Sequence, residues 1–305
     1  MRLFDRAVVR VLPAVPRSVV RRIAAPYIAG ETLDDARRVV GELNAAGVRA
    51  TVDVLGEDVS RPEEAEAIAR AYHDALAAIE AERLDANVSI KLTGLGLELD
   101  KALCRTLVEA VVDDGAKRGI FVRIDMEDSS TTDDTLDLYR ALRAAGRDNV
   151  GVVLQAALRR TLDDIATLAD LQPSVRLCKG IYVEPPSVAF QEPDVVRRSF
   201  VACLDVLLDA GCRVGIATHD EWLLDQALER VAGLDDGAYE LQMLLGVRAD
   251  RGRALVAAGH PLRVYVPYGL RWYEYSLRRL QENPKVAGYV ARDMLGRIVP
   301  GGESA

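Results

Sequence analysis

This 305-residue chain has few of the side chains that hold transition metals: four cysteines and three histidines. Cys104, Cys178, Cys203 and Cys212 form no CxxC pair and have no His-rich neighbourhood. That excludes a zinc site and a disulfide framework, and reads as reduced core thiols of a cytoplasmic protein. His73 sits in a helical pattern, His260 precedes Pro261, and no carboxylate cage or His-x₃-His spacing accompanies His219, so no metal is expected. There is no Gly-x-Ser-x-Gly elbow, and Cys178 has no histidine near it in sequence. Nucleophilic catalysis therefore lacks its motif, and Cys178 reads as core filler. No apolar run approaches the roughly 20 residues that span a bilayer. Positive charge is not in excess: the net charge is −8, which argues against general nucleic-acid binding. Low-complexity segments and linkers rich in Ser, Gly or Pro are also missing. What the chain has is apolar residues, 50% of the total, ample for a buried core.

The N-terminus departs from the acidic average. Met1 to Gly30 carries Arg2, Arg6, Arg10, Arg17, Arg21 and Arg22 against Asp5 as its one acid. Arginines interrupt each apolar stretch, so no signal-peptide core forms. The segment reads as one or two short helices packed on the main domain. The alternative is a basic amphipathic stretch touching an anionic membrane surface from the cytoplasmic side.

Along the rest of the chain, short β-branched runs alternate with longer amphipathic stretches. The spacing predicts strands over Arg49–Val54, Asn87–Leu92, Ile120–Met126, Val150–Gln155, Ser174–Cys178, Arg213–Thr218, Ala238–Met243 and Arg263–Val266. Helical patterns lie between them: Glu63–Arg83, Asp100–Arg118, Thr132–Ala145, Leu162–Leu171, Asp194–Ala210, Trp222–Val231 and Arg251–Ala258. Several end in glycine, as at Gly119, Gly146 and Gly211, the usual C-terminal stop. Strand–helix alternation repeated eight times over this length predicts one domain, a (β/α)₈ barrel spanning 1–305 with 1–45 as a helical extension. An open doubly wound sheet would carry a glycine-rich phosphate loop after its first strand. Gly94-Leu-Gly96 is the nearest string; it lacks a third glycine and opens no obvious helix.

A barrel concentrates chemistry at the C-terminal ends of its strands. Those ends read Asp53, Lys91, Asp125, Gln155, Arg176 with Lys179, Thr218 with His219, Gln242, and Tyr265. A set converging on one mouth suits an anionic, polar, extended ligand. The stretch from Arg263 to Asn283 reads as a strand, a Pro/Tyr/Gly turn and a helix. At about 100° per residue, Trp272, Tyr275, Arg278, Arg279 and Glu282 share one face. Leu270, Tyr273, Leu277 and Leu280 form the opposite, packing stripe. Two adjacent guanidinium forks suit a carboxylate or phosphate.

Five strings carry a resemblance: Val88-Ser-Ile-Lys91-Leu-Thr, Ile124-Asp125-Met126-Glu127, Val175-Arg176-Leu-Cys-Lys179-Gly180-Ile-Tyr182, Ala217-Thr218-His219-Asp220, and Tyr265 followed by Tyr275-x-x-Arg278-Arg279-Leu-x-Glu-Asn. In this order, from about residue 50 to residue 283, they resemble the proline dehydrogenase family, in its stand-alone bacterial form without an aldehyde-dehydrogenase portion. The resemblance implies a distorted (β/α)₈ TIM barrel with short N-terminal helices and a final helix over the mouth. It implies FAD as cofactor, L-proline as substrate, Δ¹-pyrroline-5-carboxylate as product and a quinone as electron acceptor. Lys91, Asp125, Tyr265, Tyr275, Arg278 and Arg279 resemble substrate-side residues. Met126, Gln155, Arg176, Lys179, Gly180, Ile181, Thr218 and His219 resemble flavin contacts. Asp125 and Arg176 are the expected catalytic residues, with Asp125 and Lys91 forming an ion pair. Glu127 reads as a solvated carboxylate without a role.

Cys178, Ile181, Asp220 and Ala157 depart from the family pattern, and none removes a chemically necessary group. Two other readings remain at this stage. One is a Schiff-base enzyme on the same barrel using Lys91 or Lys179; the other is a regulator that kept a proline-like pocket.

Overall fold

The computed structural model describes residues 20–21, 24–235, 237–273 and 275–276. Eight parallel strands close into a barrel in chain order. They are β1 (Arg49–Val54), β2 (Ala86–Ile90), β3 (Val122–Ile124), β4 (Val150–Gln155), β5 (Ser174–Cys178), β6 (Arg213–Ala217), β7 (Tyr239–Leu244) and β8 (Leu262–Tyr268). Strand β8 closes on β1 over six paired residues, Arg49↔Arg263 to Val54↔Tyr268. Every strand expected from the sequence is present. The largest difference in extent is at β3, which spans only Val122–Ile124 of the expected Ile120–Met126, with the Asp125 amide making one further bond to the Ile90 carbonyl (2.9 Å).

Seven helices follow β1 to β7 in turn: α2 (Pro62–Glu82), α3 (Lys101–Lys117), α4 (Thr132–Ala144), α5 (Thr161–Leu168), α6 (Pro193–Asp209), α7 (Glu221–Val231) and α8 (Ala249–Ala257). Helix α5 is shorter than its periodicity suggests, because its last turn tightens into a 3₁₀ turn over Ala169–Leu171. Chain breaks are written locally. Helices α2 and α6 open on proline, and α3, α4 and α6 exit into Gly119, Gly146 and Gly211, all with positive φ.

Helix α1 (Leu33–Ala45) precedes β1 and is fixed by a capping box. The Asp35 amide donates to Thr32 Oγ1 (3.2 Å), and the Thr32 amide donates to Asp35 Oδ2 (3.1 Å). It packs on β8 and β1, so residues 33–45 complete the outer ring of helices. The chain after β8 starts helical turns at Trp272. Tyr275 there packs with Ala24, Ile28 and Leu55 at the C-terminal end of β1. The chain beyond Ser276 lies outside the described residues.

Side chains alternate along each strand. One set, including Val52, Ile90, Ile124, Leu154, Leu177 and Ile216, is buried and apolar, in the same core cluster as the helices' buried faces. The other set points inward and is largely polar: Thr51, Asn87, Ser89, Arg123, Arg176, Glu240, Gln242 and Arg263 are all buried. Barrel interiors are usually filled by branched apolar residues; this one holds hydrogen-bonded charge. Two strand glycines make the room. A Cβ at Gly151 would lie 2.5 Å from Arg123 Nη1, and one at Gly215 would lie 2.4 Å from Gln242 Nε2.

Candidate active site

The C-terminal ends of the strands surround a cavity of about 530 Å³, within the range of small-ligand sites. All of the expected site residues that are described line it: Lys91, Asp125, Met126, Gln155, Arg176, Lys179, Gly180, Ile181, Thr218, His219, Tyr265 and Tyr275. Arg278 and Arg279 lie outside the described residues.

At the cavity floor four charged groups interlock. Asp125 Oδ1 accepts from Arg176 Nη1 (2.7 Å) and from Ser89 Oγ (2.6 Å). Asp125 Oδ2 accepts from the Tyr265 hydroxyl (2.8 Å). Lys91 Nζ donates to Asp53 Oδ1 (2.8 Å) and to Tyr265 Oη (2.9 Å), and stands 3.5 Å from Asp125 Oδ2. The expected Asp125–Lys91 pair is therefore the looser contact. The closer partner of Asp125 is Arg176, and that of Lys91 is Asp53, a fully buried carboxylate one layer down. Register explains this. Asp53 pairs directly with Ser89 on the neighbouring strand, next to the turn that carries Lys91, whereas Asp125, its amide still bonded to the Ile90 carbonyl (2.9 Å), sends its carboxylate across to Arg176 on β5.

The electrostatics follow from packing. Burial by itself would raise the Asp125 carboxyl, but Arg176 and Lys91 hold it below the ordinary carboxylate range. Burial by itself would lower Lys91, but Asp53 and Asp125 outweigh it and hold its ammonium well above the usual value. Asp53 is pushed up by burial, partly offset by Lys91. With Nζ donating to Asp53 and Tyr265, Lys91 is engaged as an ammonium, an arrangement that does not favour Schiff-base chemistry at that residue.

The opposite wall is built from backbone and amide groups. Gln155 Nε2 donates to the Glu127 carbonyl (2.6 Å). Gly180 holds φ +97°, and a Cβ there would sit 2.7 Å from Gln155 Oε1; only glycine gives both the conformation and the clearance. His219 Nε2 accepts from the Leu244 amide (3.0 Å), which puts the ring proton on Nδ1 when the histidine is neutral. Lys179 Nζ (3.2 Å) and Arg197 Nε (2.9 Å) both bind Asp220 Oδ2. The Asp220 departure thus has a local use, bridging two cations at the start of α7. Ile181 is half exposed.

Three sequence expectations change. Glu127 is 5% exposed rather than solvated, and accepts from the Thr93 amide (3.0 Å) and hydroxyl (2.5 Å). Burial pushes its carboxyl to about 7 despite those bonds. Cys178 is half-buried, packed against the core on one side and lining the cavity on the other; burial raises its thiol to about 11, so it is not a thiolate. Tyr275 is 5% exposed while Leu270 is 78% exposed. Tyr275 is therefore turned inward, against the apolar cluster of Ala24, Ile28 and Leu55 at the edge of the cavity. Sequence reading also passed over Glu57, Tyr182, Met243 and Leu244, all cavity-lining. The acid directly after the β1 loop glycine, Gly56, was the available signal for Glu57, and Tyr182 ends one of the five strings; nothing local marked Met243 and Leu244. Gly94 is a packing glycine: a Cβ there would lie 2.3 Å from the Gly56 carbonyl. Among the described residues no cluster of three or more His, Cys, Asp or Glu is placed to hold a metal.

The sequence matches the proline dehydrogenase family over residues 36–292. The chain belongs to the proline dehydrogenase family. Among its relatives are proline dehydrogenase 1 of Bacillus subtilis subsp. natto, 36% identical over 274 residues covering 89% of this chain and 90% of the relative. Another is proline dehydrogenase of Deinococcus radiodurans, 36% identical over 279 residues and 90% of both chains. The fold is similar to that of proline utilization A (PutA) from Bdellovibrio bacteriovorus inactivated by N-propargylglycine, with TM-score 0.81 and 24% identity. That match covers 92% of this chain and 36% of the larger protein. The first four strings read in the sequence, with Tyr265 and Tyr275 of the fifth, contribute residues that line this cavity.

Proposed function

We propose that this chain oxidises L-proline to Δ¹-pyrroline-5-carboxylate, the first step of proline catabolism, with FAD as cofactor and a quinone as the final electron acceptor. The observation that carries it is the Asp125–Arg176–Tyr265–Lys91 cluster at the floor of a cavity whose far wall is glycine and amide. The residues fit a flavin. Gly180 leaves a gap that a Cβ would fill, Val153, Met243 and Leu244 add apolar walls, and Arg176, Gln155 and Lys179 supply donors. When bound, FAD would take the hydride from the proline carbon beside nitrogen and pass the electrons on.

The chain's own groups do the rest. Arg176, pinned by Asp125, sets a fixed positive charge where negative charge grows as hydride leaves the substrate. Lys91 acts as a held cation on the substrate side rather than as a base. The Tyr265 and Tyr275 rings would flank the apolar proline ring, and Arg278 and Arg279 would clamp its carboxylate with planar forks. Met126, Ile181, Thr218 and His219 would border the cofactor, with Lys179 toward its phosphates. The basic residues of 1–22 would favour peripheral contact with an anionic membrane, where quinone is found; among the described residues no helix is long and apolar enough to cross one.

The deciding experiment is anaerobic addition of L-proline to the purified yellow protein. Bleaching of the oxidised flavin band is expected, with no reduction of NAD⁺. A colourless preparation that reduces NAD⁺ with proline would overturn the reading. Vesicle sedimentation that falls with rising salt would support the membrane contact.

A further inference from the structure

From the cavity floor, where Arg176 and Gln242 both line the cavity, a one-way hydrogen-bond relay runs down into the barrel. Arg176 Nε donates to Gln242 Oε1 (2.6 Å), and Gln242 Nε2 donates to Glu240 Oε1 (2.6 Å). The same Glu240 oxygen accepts from Arg263 Nε (2.8 Å), and Arg263 Nη1 is anchored on the Ala50 carbonyl (2.6 Å). All four side chains are buried. An amide can turn either way, but here both ends are dictated. A carboxylate can only accept, so it takes Nε2; a guanidinium can only donate, so it takes Oε1. Gly215 supplies the space for this bridge, since its missing Cβ would collide with Gln242 Nε2.

The consequence lies at Arg176. Its Nη1 is held by Asp125 and Ser89 on the β2–β3 side, and its Nε by Gln242 on the β7 side. Two in-plane anchors on opposite sides of the barrel fix the guanidinium over the Tyr265 ring, 5.3 Å from its centroid. Held only at Nη1, by Asp125 and Ser89, the group could pivot about that atom. We propose that Gln242, oriented by Glu240, is a positioning residue that locks the Arg176 guanidinium in the orientation hydride transfer requires. This rests on the role given to Arg176 above. Glu240 stays anionic for the task. Burial opposes its ionisation, but Arg263 and Arg123, with the Arg263 and Gln242 hydrogen bonds, hold its carboxyl below the usual range. Arg49 (3.7 Å) and Arg213 (3.8 Å) flank its other oxygen.

Gln242→Met removes both bonds and keeps the bulk. We expect kcat to fall about 10- to 100-fold with KM changed less than about threefold. The flavin midpoint potential should become more negative, and the melting temperature should move by only a few degrees. Gln242→Glu gives a sharper signature. Its new carboxyl faces the Glu240 carboxylate, with Arg176, Arg263, Arg49, Arg213 and Arg123 around the pair. A proton shared by the two carboxyls restores the donor that the amide supplied. Relative to wild type, kcat should therefore recover as pH falls from 8 to 6. In ¹⁵N-arginine-labelled protein without cofactor, the Arg176 Nε–H resonance should shift in Gln242→Met. An unmoved resonance together with wild-type kcat in that variant, or a pH-flat deficit in Gln242→Glu, would overturn the relay. The resonance tests the geometry without flavin; if it shifts while wild-type protein holds no flavin, the proposed function fails and the relay stands.

Discussion

The Tyr265 hydroxyl donates to Asp125 Oδ2 across 2.8 Å while accepting from Lys91 Nζ at 2.9 Å. One phenol thus joins the anion and the cation on the substrate side and spaces them 3.5 Å apart. Tyr265→Phe removes that bridge without changing the ring. The expected loss is about 1–3 kcal/mol of stability, from a buried carboxylate oxygen left short of a donor. A drop of at least tenfold in kcat/KM for proline should accompany it. Urea unfolding and steady-state kinetics check both, and unchanged values would show the hydroxyl to be incidental.

Asp125 compensates two buried cations, so removing its charge should be costly. Asp125→Asn takes from Arg176 its ion-pair partner and leaves Lys91 with Asp53, and truncation of one partner of a buried pair typically costs about 3–5 kcal/mol. The wild-type carboxyl is depressed in the fold. Its contribution is therefore present above the ordinary carboxylate range and is lost as pH falls through the folded value. The stability gap between wild type and Asp125→Asn should narrow in acid; a gap independent of pH would count against the charge.

Glu127 behaves oppositely. Its folded pKa of about 7 stands above the ordinary 4.5. Between these values the folded chain holds a proton that the unfolded chain has released. The stability this gives is complete below 4.5 and is lost as pH rises through about 7. Glu127→Gln keeps an acceptor for Thr93 and cannot ionise. Relative to wild type it should gain about 2–3 kcal/mol between pH 5 and pH 8. Thermal melts at both pH values measure this, and parallel curves would rule it out.

Gly180→Ala combines a left-handed φ with a 2.7 Å approach to Gln155 Oε1. We expect about 1–3 kcal/mol of destabilisation and weaker retention of flavin on gel filtration. Full occupancy and a wild-type melting temperature would show that the wall yields.

Arg279→Ala should cost roughly 2–5 kcal/mol of transition-state binding, seen mainly in KM for proline, with flavin content intact. Arg279→Lys should restore little, since an ammonium lacks the planar fork. Wild-type KM in both variants would remove the clamp.

The sequence by itself determined the barrel and most of its mouth. β-Branched runs of strand length, separated by helical periods and stopped by glycine, leave little choice of architecture. The polar residues that end each run, Lys91, Asp125, Gln155, Arg176, Thr218 and Tyr265, meet where the strands end together. What the tertiary structure alone decided is who faces whom. Asp125 and Arg176 stand 51 residues apart, and Tyr265 and Asp125 stand 140 apart. Periodicity reports the face of a residue's own element, not what lies across a closed sheet. For the same reason the burial of Asp53 and Glu127, the inward turn of Tyr275 and the Arg176–Gln242 bond, across 66 residues, were not legible. Each depends on the register at which β8 closes on β1 and on loops that approach only once the ring is complete.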